Sequence, residues 1–324
     1  MTTTTTATDT PAPIIGVAQL RATNNKVHNL LEITKCVAWA KQKGVQMLFL
    51  PECAGFMGAV PGESLQQAEA PIGEEQPNAD CVTEWIHKMY NHTLLQESNT
   101  VEEEEEEQQQ PSDTVAALAS EAAAADYDDD GDAATASNVS LMHGLSTLAK
   151  RAQMWISVGG LHVRGAPPHD GKERFYNTHV ILDDTGTVKA IYRKIHLFDV
   201  CIPGKVNLME SNSTAAGRDI VVCDTPVGKC GRTIACVRKV SSSCRWTLIP
   251  LLGALLHIHA FMYIGRLGLS TCYDMRFPEL YADLVQRGAQ ILLMPSAFTV
   301  PTGQAHWHIL LRGTFVHTLE SFFF

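Results

Sequence analysis

At 324 residues, 45% hydrophobic and 19% charged, the chain is long enough for one large core or two modest ones and has the composition of an ordinary soluble protein. Its net charge of −10 argues against a nucleic-acid partner, since affinity for phosphate backbones comes from clustered Lys and Arg. Nine cysteines without a Cys-x-x-Cys pair resemble neither a zinc site nor a compact disulfide scaffold, so a reducing compartment is expected.

Residues 1–13 are rich in threonine and hold no Lys or Arg, which matches neither a secretory signal nor a basic transit peptide. A disordered tail and a cytoplasmic location follow as expectations, with a mitochondrial one left open. The sequons at Asn91, Asn138 and Asn212 then carry no weight.

Residues 14–20 form an apolar run, followed by a helical pattern through Val27, Leu30, Leu31, Ile33, Val37 and Ala40 that closes at Gly44, and then by a second apolar run at 45–50. This order predicts a layered α/β fold whose sheet is covered by helices. Glu52 stands at the C-terminal end of the second strand, where ligand and catalytic groups gather in such sheets. Residues 73–139 turn acidic, Ala-rich and Gln-rich, with 83–90 as the one plausible short helix, and are expected to be a solvated insertion.

The domain resumes with a helix over 141–152 and a strand over 155–163. A hairpin over 175–182 and 188–193 then turns at Asp183-Asp184-Thr185-Gly186 and ends at Lys194. After the loop Glu210-Ser211-Asn212-Ser213-Thr214 come a strand at 220–223 and the turn Thr225-Pro226-Val227-Gly228-Lys229. Residues 231–265 contain no Asp or Glu and include an apolar run at 248–264. That run falls short of the roughly 20 residues a bilayer needs and holds Pro250, His257 and His259, so no membrane span is expected. The His-x-His pair has no companion Cys or acid nearby, so no metal site is expected either.

The last informative stretch runs Ser270-Thr271-Cys272-Tyr273-Asp274-Met275-Arg276-Phe277-Pro278-Glu279-Leu280 and sets one thiol at a strand-to-helix corner. Backbone N–H groups there are expected to lower the thiol's pKa and to serve an oxyanion formed beside it. Glu52, Lys194 and Cys272, at the ends of separate strands, make a workable amide hydrolase. Glu52 takes the thiol proton, Cys272 adds to a carbonyl, and Lys194 with the Tyr273 N–H stabilises the oxyanion. Each residue also has a plain reading: a buried structural cysteine, a surface lysine, an isolated charge at a strand end. A Cys-His pair with His196, His306 or His308 is rival chemistry that the residues alone leave open.

Three ordered blocks carry a resemblance: Leu48-Phe49-Leu50-Pro51-Glu52, then Tyr192-Arg193-Lys194-Ile195-His196-Leu197-Phe198-Asp199-Val200, then the stretch around Cys272. Together they closely resemble the signature blocks of the nitrilase superfamily of carbon-nitrogen hydrolases, over about residues 14–72, 140–229 and 265–312. Within it the chain is most similar to deaminated glutathione amidases, through the Glu210 to Thr214 loop and through Pro295-Ser296-Ala297-Phe298, Thr302-Gly303 and Ala305-His306-Trp307. The ω-amidases that act on α-ketoglutaramate are the second match.

The resemblance implies a four-layer αββα sandwich that forms a homodimer through its helices, with a Glu52-Lys194-Cys272 triad. It implies Glu210 and Tyr273 as substrate-positioning residues, a small-molecule amide substrate, and no metal or organic cofactor. The reaction implied is hydrolysis of deaminated glutathione to 2-oxoglutarate and cysteinylglycine. Departures from the family's pattern lead to further expectations. The domain covers 14–312, interrupted by the acidic insertion at 73–139 and an anomalous apolar one at 231–265; 313–324 lies outside the family, and the family's last strands are missing. Translated intron or a faulty gene model would account for both segments, and the chain as written would then fold poorly or persist as a non-catalytic binding module.

Overall fold

The computed structural model describes residues 13–60, 62–74, 79–103, 139–165, 171–204, 206–226, 232–237 and 265–317. Strands β1 (Ile14–Gln19), β2 (Met47–Leu50) and β3 (Trp155–Val163) lie parallel, and β4 (Tyr176–Leu182) and β5 (Val188–Arg193) continue the sheet antiparallel. Two more strands, β6 (Asp199–Ile202) and β7 (Val206–Met209), pair with each other as a separate hairpin. A second sheet has the order β11-β10-β8, from β8 (Val222–Thr225), β10 (Gly265–Leu269) and β11 (Ile291–Leu293). On the free edge of β1 runs β9 (Arg232–Val237), parallel, from Ile14 opposite Arg232 to Gln19 opposite Val237.

Helix α1 (Lys26–Gln42) starts where the Asn25 side chain accepts from the His28 N–H at 2.9 Å. Its Leu30, Ile33 and Val37 recur on one face and are buried. After the short α2 (Glu63–Gln66), α3 (Ala79–Glu103) and α4 (Leu141–Ala152) pack on α1. The N-terminus of α4 is capped by Ser140 and by Glu69, whose carboxylate accepts from the Met142 N–H at 3.3 Å and pairs with Lys26 at 2.6 Å. One core joins these helices to the large sheet through Leu48, Ile156 and Val180; a second lies between the sheets, with Ile15, Met47, Ile181 and Tyr192 facing Cys223, Leu267, Leu269 and Leu293. Helix α5 (Pro278–Gln286) covers the small sheet through Leu280, Tyr281 and Leu284, and α6 (Val300–His317) follows it. The layers are therefore α-β-β-α, as expected, and period-two alternation along β2 and β4 sends neighbouring side chains to different cores.

Three boundary expectations are corrected. The acidic stretch does not begin at 73: α3 spans Ala79–Glu103, and Val82, Ile86 and Tyr90 are buried in the helix-side core. Their spacing of four is a helical stripe that the charged composition of its surroundings masks. Part of 231–265 is sheet, since β9 pairs along the whole of β1. Helix α6 also runs through the boundary drawn at 312. Expectations placed on 1–12, 104–138, 248–264 and 318–324 fall outside the described residues; among those described, no helix is long and apolar enough to cross a membrane.

Candidate active site

Glu52 follows β2, Lys194 follows β5 and Cys272 follows β10 after two residues, so three strand ends from two sheets converge. The Lys194 ammonium lies 3.6 Å from Glu52 Oε1 and donates to Glu210 Oε1 and Oε2 at 3.1 and 2.9 Å. Glu52 and Lys194 are 6% and 2% exposed, so these charges interact with little screening from water. Glu210 is itself held, because its Oε2 accepts from the Phe198 N–H at 2.7 Å.

Cys272 adopts φ 50°, the left-handed region that a side chain enters only when its surroundings force it. Its N–H donates to the Pro295 carbonyl at 2.9 Å, and Asp274 fixes the turn that follows. The buried Asp274 carboxylate accepts from the Thr271 N–H at 2.9 Å, the Tyr192 hydroxyl at 2.6 Å, and the His196 N–H and Nδ1 at 2.9 and 2.8 Å. The Cys272 thiol lies close enough to Glu52, Lys194 and the Ala297 N–H for each to act on its protonation.

The expected low thiol pKa is corrected. Burial, then the Glu52 charge, push the Cys272 pKa up, and Lys194 and the Ala297 N–H offset only part of this. The resting thiol therefore keeps its proton beside a carboxylate able to take it. Burial works against the charge on Lys194, but Glu52, Cys272 and Glu210 raise its pKa, so the ammonium stays charged. A cationic lysine and a carboxylate flanking one thiol are the parts of acyl transfer to sulfur.

The carbon-nitrogen hydrolase family model matches residues 14–318. The chain belongs to the carbon-nitrogen hydrolase family. Its domain is that of a hydrolase acting on carbon-nitrogen bonds other than peptide bonds. A deaminated glutathione amidase of Dictyostelium discoideum is 31% identical over 300 residues, covering 92% of this chain and 68% of that one. The human omega-amidase NIT2 is 33% identical over 169 residues, covering 52% of this chain and 46% of its own. The crystal structure of the Caenorhabditis elegans NitFhit protein superposes with a TM-score of 0.53 at 29% identity, covering 93% of this chain and 47% of that one. The chain thus spans about two thirds of the amidase and about half of the other two.

Within this hydrolase domain the rival histidines stand apart from the thiol. His196 is committed to Asp274 and stacks on Phe277 at 3.6 Å, while His306 and His308 are exposed on α6. Several residues of the site escaped sequence reasoning. Asn177 donates to Glu52 Oε1 at 2.9 Å, and the Ala297 N–H donates to Oε2 at 2.8 Å. Cys53 is a second thiol beside Glu52, at φ 56°, its pKa pushed well up by burial and then by the charges of Glu52 and Cys272. Arg276 lies over the Tyr273 and Phe298 rings, at 4.7 and 5.7 Å.

One signal was in the sequence: Gly159-Gly160 inside β3, where glycine marks a bulge or a close approach. The β3–β4 register shifts there, between Val158 and Leu161. A Cβ on Gly159 would lie 2.4 Å from Pro295 Cβ, and one on Gly160 2.7 Å from Asn177 Oδ1 and 3.2 Å from Glu52 Cγ. Both glycines make room for Glu52 and for the loop that holds the Cys272 N–H.

Proposed function

We propose that the chain is an amidase working through a Cys272 thioester. The observation that carries this reading is a half-buried thiol set beside the buried Lys194–Glu52 pair, whose carboxylate is held by donors on both oxygens. Glu52 accepts the thiol proton as sulfur adds to the amide carbon. Lys194 and the Tyr273 N–H stabilise the oxyanion, and Glu210 holds Lys194 in place. Glu52 then passes its proton to the departing nitrogen, leaving the acyl group on sulfur. Water, deprotonated by Glu52, attacks the thioester; the acid leaves and the thiol is restored. The scheme requires no metal or organic cofactor.

The substrate we propose is deaminated glutathione, split to 2-oxoglutarate and cysteinylglycine, in line with the name of the Dictyostelium relative. Arg276, set over two rings with a carboxylate-binding fork and no acidic partner among the described residues, supports a substrate that carries a carboxylate. α-Ketoglutaramate is the second reading, favoured by the omega-amidase relative, and it shares that carboxylate. The reading includes a homodimer that covers the exposed Val300 and Ile309 of α6, and a reducing, cytoplasmic setting in which Cys53 and Cys272 remain thiols.

Purified protein is to be offered each amide in turn, with 2-oxoglutarate, cysteinylglycine and ammonia measured. The proposal expects cysteinylglycine to form with a higher kcat/KM than ammonia, and Arg276→Met to raise KM for both. Preferential ammonia release would favour the second reading. Absence of 2-oxoglutarate from either amide would leave a non-catalytic binding module.

A further inference from the structure

Asn177 sits on β4 with 3% of its surface exposed, opposite His162 of β3, and its backbone carbonyl accepts from the Lys194 N–H at 2.9 Å. Its Nδ2 donates to Glu52 Oε1 at 2.9 Å, while its Oδ1 is buried without a hydrogen-bond partner. Turning the amide over would set Oδ1 against an anionic oxygen, so the charge of Glu52 dictates the orientation and orphans Oδ1. A buried acceptor left unpaired is costly, and an apolar or smaller residue there would avoid that cost. The amide is therefore kept for what its N–H does. The Ala297 N–H holds the other oxygen of Glu52 at 2.8 Å, so two neutral donors, one on β4 and one in the loop after β11, fix the plane of the carboxylate.

We infer that Asn177 is a positioning residue for the general base, keeping the Glu52 carboxylate aimed at the Cys272 thiol. The inference rests on the proposed role of Glu52. The titratable groups facing Glu52 are Lys194 from the end of β5, Cys272 from the end of β10, its neighbour Cys53, and Glu210 behind Lys194; His162 of β3 lies 4.0 Å from Cys53. Lys194 and Asn177 share Oε1, but among the described residues only Asn177 and Ala297 lie within hydrogen-bond distance. Asn177 is therefore the side chain whose loss frees the carboxylate to rotate.

The test needs no amide substrate. Alkylation of Cys272 by iodoacetamide, followed by peptide mass spectrometry against pH, reports how readily Glu52 takes the thiol proton. Asn177→Asp puts a second carboxyl beside Glu52; two such groups share a proton, so the acid limb of the alkylation profile should move up by about one pH unit or more. Asn177→Ser removes the donor without adding charge, and the loss of one hydrogen bond to a charged group should slow alkylation about 10- to 100-fold at neutral pH. In the amide assay the same variant should lose kcat with KM little changed. Glu52→Gln is the reference. If it slows alkylation while both Asn177 variants keep the rate and pH profile of the natural chain, Asn177 merely fills space and the inference is overturned. If Glu52→Gln itself leaves alkylation unchanged, the base assignment fails and the inference falls with it. A variant that melts early yet keeps the natural profile also overturns the positioning role.

Discussion

Lys194→Met separates the two tasks assigned to the lysine, because methionine keeps most of the apolar stem and loses the charge. The ammonium has Glu210 oxygens at 2.9 and 3.1 Å and a Glu52 oxygen at 3.6 Å, with the lysine 2% exposed. At an effective dielectric of about 20, a unit pair at the Glu52 distance interacts by roughly 4–5 kcal/mol before desolvation is set against it. Breaking a buried pair by removing one partner costs about 3–5 kcal/mol, a large part of the ~5–15 kcal/mol that holds a domain. Losing an oxyanion donor costs on the order of 10²–10³ in kcat. Adding Glu210→Gln removes one stranded charge and keeps an acceptor for the Phe198 N–H. The double variant should recover more than half of the lost stability in urea unfolding while its kcat stays low. If it regains both, the lysine only balances charge; if Lys194→Met alone keeps its kcat, the oxyanion role is refuted.

Ile86→Ala should lower stability by about 2–5 kcal/mol, because Ile86 is fully buried where α3 packs into the helix-side core; an unchanged melt would detach α3 from the domain. His179 is 0% exposed, and burial lowers its pKa to about 4 although its bond to the Ser270 carbonyl at 3.0 Å works the other way. The unfolded chain binds that proton first. Stability from His179 is therefore complete above about pH 6.5 and is lost as pH falls toward about 4, by roughly 3 kcal/mol at most; His162, also lowered to about 4 by burial, acts in the same direction. Unfolding free energies measured across that window should slope downward toward acid, and His179→Gln should flatten the slope; an equal slope would refute the assignment. Glu210→Gln should reduce kcat less than Glu52→Gln, since holding a lysine is a weaker demand than moving a proton, and the reverse order would exchange their roles.

Much of the layering was legible in the chain because strands and helices announce themselves by period: the β1, α1, β2 order and the hairpin around Asp183 were readable directly. The three residues proposed to act together were legible as ionisable groups at strand ends. What escaped notice depends on distance across the fold. Asn177 looks like one of three consecutive polar residues in β4 until Glu52 is set 2.9 Å away. The thiol's raised pKa could not be read from its place before a helix, because burial and a carboxylate brought from β2 outweigh the local N–H groups. Of α3 only 83–90 was legible, its full extent being hidden by the acidic composition beyond it, and β9 was hidden by an apolar, basic setting that resembles no strand boundary.

The central claim is that the acyl group passes to Cys272, and acid quenching during turnover followed by mass spectrometry tests it directly. The account predicts a chain heavier by the acyl fragment, the adduct mapping to the Cys272 peptide and absent from a folded, inactive Cys272→Ala variant. Turnover by Cys272→Ala, or an adduct on any other residue, would contradict it.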